Sequence, residues 1–194
     1  MTLQIQSLRN LPREKTRMSR PIATLALELA LKNVGVQEEG NNAGRAVGSY
    51  LASCIPPLPA GNPWCVAHVR YRLKQAATQL GIVYDETMPR TGYTPDYYNW
   101  AVENNKWISR KKAEERPELI RPGDLCLFYF SQMGRHAHMG MVVDATTNGI
   151  STVEGNTSPP KIGTAVEREG DGLYKKYRSF ASLGSKGGFV LLDF

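Results

Sequence analysis

The chain has 194 residues, of which 41% are hydrophobic and 22% charged. That is the make-up of one folded domain with its own core, and it shows no disordered or low-complexity bias. The formal charge of +6 and pI near 9.3 favour anionic partners. Zinc-finger spacing and basic–aromatic interleaving are both missing, so no nucleic-acid partner is assigned.

Residues 1–20 read as a basic arm carrying Arg13, Lys15, Arg17 and Arg20. The stretch IATLALELALKNV behind them mimics a secretion signal. Glu28 interrupts it, the charges begin late, and no small-x-small cleavage site follows. The expectation is therefore no signal peptide, with 21–194 as a single domain. No segment reaches the about 20 apolar residues of a membrane span. Pro21 and Gly35 bracket a helix over 21–34. QEEGNNAG is a loop without the alternating aspartates of a calcium site. AGRAVGSYLAS reads as a short helix, and IPPLPAGNP as a rigid loop.

Next comes GNPWCVAHVRYRLKQAATQLG. Asn62 suits an N-cap, Pro63 the first helical position, and Cys65 the third. Val66, Val69, Leu73, Ala76, Ala77 and Leu80 recur at helical spacing, and Gly81 ends the helix. A cysteine attacks only as thiolate, and a helix N-terminus lowers its pKa from about 8.5. Free N–H groups in that first turn also suit an oxyanion. The ordinary alternative for this one segment is a buried structural cysteine. Cys54, Cys65 and Cys126 are odd in number, so at least one thiol stays unpaired within the chain. Cys126 reads as core and Cys54 as incidental.

TPDYYNWAVENNKW repeats the cap-and-proline signal and predicts a helix from Thr94 to about Asn105. KKAEERPEL reads as a solvated surface segment. The period then changes. PGDLCLFYF is a turn and a central strand, HAHMGMVVDA a second strand and GISTVEGN a third. TAVERE, YKKYRSF and GGFVLLDF are further strand candidates. Helices followed by strands predict an α+β fold with a largely antiparallel sheet.

A thiolate hydrolase needs a base and an orienter. His68 lies one turn after Cys65, where packing is its expected role. His136 and His138 alternate along one strand, so both can share a face. With a cysteine they make an incomplete zinc set, and neither metal nor cofactor is assigned.

GNPWCVAHVRY, RPGDLCLFYF, HAHMGMVVD and STVEGNT, in that order, resemble the CHAP family of peptidoglycan amidases and endopeptidases, within the NlpC/P60, papain-like group. The resemblance covers roughly residues 22–194. Val66 stands where the family usually has Ala or Gly, and His68 where an aromatic is common. The resemblance implies a papain-like fold with Cys65 as nucleophile, His138 as base and Glu154 orienting it. Asn156 would be a fourth polar residue or the orienter itself. It further implies an N-acetylmuramoyl-L-alanine amidase, or an endopeptidase of the peptide stem or cross-bridge. The chain would be a monomer acting on the cell wall, either as a phage endolysin or as an interbacterial effector with an immunity protein. Trp64, Tyr93, Tyr97 and His136 are assigned to the substrate groove, against the ordinary alternative of core or rim. Two rivals are a cysteine amidase acting on a small cytosolic peptide conjugate and a non-catalytic binding module.

One test is internal to the sequence. A plain two-residue turn at Asn148–Gly149 would pair Thr147 with Ile150 and point Glu154 away from His138. The catalytic reading predicts an odd-length loop or a β-bulge between them.

Overall fold

The computed structural model describes residues 20–83, 88–159 and 170–194. The arm over 1–19 and the TAVERE strand lie outside the described residues. Within them the chain is α+β, with five α-helices and a six-stranded antiparallel sheet. The helices are α1 (Pro21–Leu31), α2 (Arg45–Leu51), α3 (Cys65–Leu80), α4 (Thr94–Glu103) and α5 (Arg110–Glu115). The strands are β1 (Trp107–Ser109), β2 (Leu125–Phe130), β3 (Arg135–Thr146), β4 (Gly149–Thr157), β5 (Gly172–Arg178) and β6 (Gly188–Val190). They lie in the order β1-β6-β2-β3-β4-β5. No described helix is long and apolar enough to cross a membrane.

The apolar run LCLFYF is continuous because β2 is covered on both faces. Leu125 and Leu127 join Met139, Met141 and Val153 under α1, α3 and α4. Cys126 and Phe128 face the other way, packing with Val142, Ile150, Phe180 and Phe189. KKAEERPEL is not merely a solvated segment. Ser109 caps α5 by accepting the Lys112 N–H (3.3 Å), and Ala113 is buried in that second core.

Arg20 does not belong to an arm. It is buried, and its guanidinium donates to Asp124 and to the Leu192 carbonyl. Asp124 also accepts the backbone N–H groups of Arg121 (2.8 Å) and Leu192 (2.9 Å). The Pro-Gly-Asp turn thereby ties α1 and the C-terminal segment after β6 to the entry of β2. Gly123 there has φ +91, and a Cβ would come 2.7 Å from the Ala23 carbonyl oxygen, so only glycine fits.

β3 and β4 form a hairpin in which Thr146 pairs with Gly149 across Thr147–Asn148. The turn sits one residue earlier than Asn148–Gly149. Val143 is an extra residue on β3, because the register shifts between Val142 and Asp144. This is the predicted bulge, and from Val142–Thr152 onward the pairing brings His138, Gly140 and Glu154 to one face.

Candidate active site

α3 begins at Cys65, two positions later than its capping signal predicts. Asn62 does not cap it, because its amide donates instead to the Pro59 carbonyl (3.0 Å). The cap comes from the sheet. Asn156 Oδ1 accepts the Trp64 N–H (2.8 Å), while Nδ2 donates to Asn42 Oδ1 (2.9 Å) and the Gly170 carbonyl (3.0 Å). Asn156 has φ +58, a left-handed conformation that asparagine tolerates better than most residues. It therefore fixes the start of α3 and does not orient a histidine. The N–H of Cys65, first in the helix, has no intrahelical partner.

His138 is fully buried, and its Nε2 donates to Glu154 Oε2 (2.9 Å). Glu154 lies diagonally across the hairpin, opposite Gly140, whose missing side chain leaves the space: a Cβ would stand 2.7 Å from Glu154 Cγ. Thr152 Oγ1 donates to Glu154 Oε1 (2.6 Å). Arg178, on β5, grips both carboxylate oxygens, with Nε to Oε1 at 2.9 Å and Nη2 to Oε2 at 2.6 Å. The sequence alone does not reveal this bidentate pair. An ionised glutamate buried on a strand demands a cation, but which basic residue of YKKYRSF answers depends on strand register.

With Nε2 committed to Glu154, Nδ1 is the nitrogen left for the Cys65 thiol. It has no regular hydrogen bond, and the two groups communicate through their ionisation. Burial opposes the Cys65 thiolate, but the hydrogen-bonding and charge influence of His138, helped by backbone N–H groups, lowers the thiol pKa. Burial likewise disfavours a charged imidazole, yet Cys65 and Glu154 outweigh it and raise the His138 pKa to about 9. For Glu154 burial again opposes the charge, and Arg178 and His138 hold the carboxyl well below the ordinary range. The site thus favours a thiolate–imidazolium pair backed by a carboxylate–guanidinium pair.

Cys65 is not walled off on every side. Cys65 is only 3% exposed, yet it lines an open cavity of about 280 Å³ together with Asn62, Tyr93 and Arg135. Among the four residues assigned to the groove, Tyr93 alone lines this cavity, half exposed. Trp64 and Tyr97 are core. The Trp64 indole lies on Gly155 and donates to Glu38 Oε2 (3.1 Å), so its faces are used. His136 is buried in an aromatic cluster. Its ring stacks on Tyr98 at 4.5 Å, and Nε2 donates to the Lys186 carbonyl (2.9 Å). It parts from His138 because a register slip between Phe128 and Tyr129 makes Ala137 an extra residue. His68 is also no base. Burial and Arg72 push its pKa down to about 3, and its ring packs edge-on to Tyr50. Among the described residues no cluster of His, Cys, Asp and Glu side chains forms a metal site.

Compared with protein-family models, curated proteins and solved structures, the chain finds no match.

Proposed function

We propose that this chain is a cysteine hydrolase that cuts an amide bond of peptidoglycan. The carrying observation is the buried series Cys65, His138, Glu154, Arg178, opening through Cys65 onto a cavity. The Cys65 thiolate attacks the amide carbonyl carbon, and the electron pair moves to its oxygen. The Cys65 N–H at the positive end of α3 stabilises that oxyanion. The tetrahedral intermediate collapses, the C–N bond breaks, and His138 gives its proton to the departing amine. Water, deprotonated by His138, then hydrolyses the thioester and releases the acid and the thiol. Glu154 keeps the imidazole oriented and charged, and Arg178 keeps Glu154 ionised.

Peptidoglycan as substrate rests on the four ordered motifs that resemble the CHAP family, and the basic charge agrees with an anionic envelope. Such an enzyme works on the cell wall as an endolysin or a delivered effector. The test is incubation with purified sacculi and mass spectrometry of the released fragments. New amine and carboxyl ends are expected with the native chain and none with Cys65→Ala. Fragments released equally by Cys65→Ala, or none released by either protein, would overturn the proposal.

A further inference from the structure

The cavity in front of Cys65 has a built polarity. Its walls include Pro56, Leu58, Thr91 and Tyr93, which carry no charge, and among the described lining residues the one with a permanent charge is Arg135. Arg135 opens β3, three residues before His138. Its guanidinium carbon lies 5.2 Å from the centre of the Tyr93 ring, and Nη1 donates to the His136 carbonyl (3.1 Å). These contacts fix the plane of the fork and use one of its five N–H donors. No carboxylate pairs with it among the described residues. Asp96, in the first turn of α4, accepts the Thr91 hydroxyl (2.5 Å) instead. The catalytic charges cancel in pairs, thiolate with imidazolium and Glu154 with Arg178. Arg135 therefore sets the sign of the cavity.

We propose that Arg135, held by Tyr93, is a specificity-determining residue that binds a free carboxylate on the peptide next to the scissile amide. The proposal rests on the hydrolase reading and deepens it by naming the substrate class: peptides bearing an anionic carboxylate at that position, as opposed to their amidated counterparts. A pre-oriented guanidinium meets a carboxylate through two parallel charge-assisted hydrogen bonds. A neutral carboxamide can accept at its oxygen, but its NH₂ faces another donor.

The experiment uses the full chain with Cys65→Ala, so that binding is read without turnover. Two N-acetylated, C-terminally amidated stem peptides are titrated by calorimetry, L-Ala-γ-D-Glu-L-Lys and the same peptide with the glutamyl α-carboxylate as carboxamide. The carboxylate form is expected to bind about ten- to a hundredfold tighter. Adding Arg135→Gln should erase the difference, because the carboxylate peptide loses more affinity than the carboxamide peptide does. Tyr93→Ala, at a half-exposed position, should shrink the difference without abolishing it. Equal affinities with Arg135 present, failure of the carboxylate peptide to bind, or a preference that survives Arg135→Gln would each overturn the proposal. Cleavage of the same peptides by the Cys65 protein is scored separately. Selective binding without Cys65-dependent cleavage refutes the hydrolase reading and leaves the carboxylate site standing.

Discussion

Replacing Arg178 by methionine asks whether Glu154 is kept ionised by its cation. Methionine preserves much of the side-chain length and the packing over the Phe128 ring, which the guanidinium approaches at 5.4 Å. It removes both donors to the carboxylate. A hydrogen bond to a charged group contributes about 1.5–3 kcal/mol, so two amount to roughly 3–6. Breaking a buried pair while leaving one charge behind costs about 3–5 kcal/mol. Arg178 is 6% and Glu154 0% exposed, so water screens little, and a loss of about 3–5 kcal/mol at pH 7 is expected. The pH dependence has a definite sign. In the native chain the Glu154 pKa lies below its unfolded value of about 4.3, so its stabilisation is present above that value and fades as pH falls through the folded pKa. In Arg178→Met burial prevails, the carboxyl pKa rises, and folding takes up a proton. The stability gap between the two proteins should therefore narrow from pH 7 to pH 4. Urea denaturation followed by tryptophan fluorescence at several pH values measures it. A gap below about 1 kcal/mol at pH 7, far short of the buried-pair figure, or one constant with pH, would refute the reasoning.

Cys65 should be alkylated by iodoacetamide well below the ordinary thiol range. His138→Ala should move that midpoint upward, while Cys54 and Cys126, whose thiols burial pushes up, stay unmodified in the folded chain. The proposed amide hydrolysis should decline as pH rises through about 9, where His138 loses the proton that a leaving amine would need; a pH–rate profile checks this. Gly140→Ala should destabilise by about 1–3 kcal/mol through overpacking against Glu154 and slow alkylation of Cys65 as well, since the carboxylate must shift. Asn156→Gly keeps the left-handed backbone and removes the cap, at a cost of about 1 kcal/mol. Asn156→Ala adds conformational strain of roughly 1–2 kcal/mol more, and the difference between the two in thermal denaturation separates the effects.

The features legible in the sequence were those set by local chemistry. A cysteine near the proline-marked start of an amphipathic helix, a histidine and a glycine alternating on a strand, and the strand parity that demanded a bulge all depend on neighbours in the chain. What stayed hidden depends on long-range register. Arg178 reaches Glu154 because β5 pairs Ile150 with Arg178, and nothing in YKKYRSF singles that arginine out. Asn62 and Pro63 signalled a helix start that the structure moves to Cys65, because the cap arrives from Asn156 on a distant strand. Trp64 and Tyr97 have the side chains of a sugar platform but sit where the core required bulk. Periodicity does not separate those two uses of an aromatic residue.

Three consecutive residues of β4 position the site from both sides. Glu154 holds the imidazole (2.9 Å), and Asn156 holds the helix that carries the thiol (2.8 Å). Between them Gly155 has no side chain because the Trp64 ring occupies that space: a Cβ would stand 2.6 Å from Cζ3. In regular pleating Glu154 and Asn156 would share a face. The left-handed backbone at Asn156 and the register shift between Glu154 and Thr157 break that alternation. One carboxylate thus meets β3 while the next polar side chain meets α3. The separation of sulfur and imidazole is therefore set by a single short piece of backbone, so a displacement of this strand moves both partners together. Substitutions at Glu154 and Asn156 should accordingly be non-additive in their effect on Cys65 reactivity, because each loosens the frame that the other relies on.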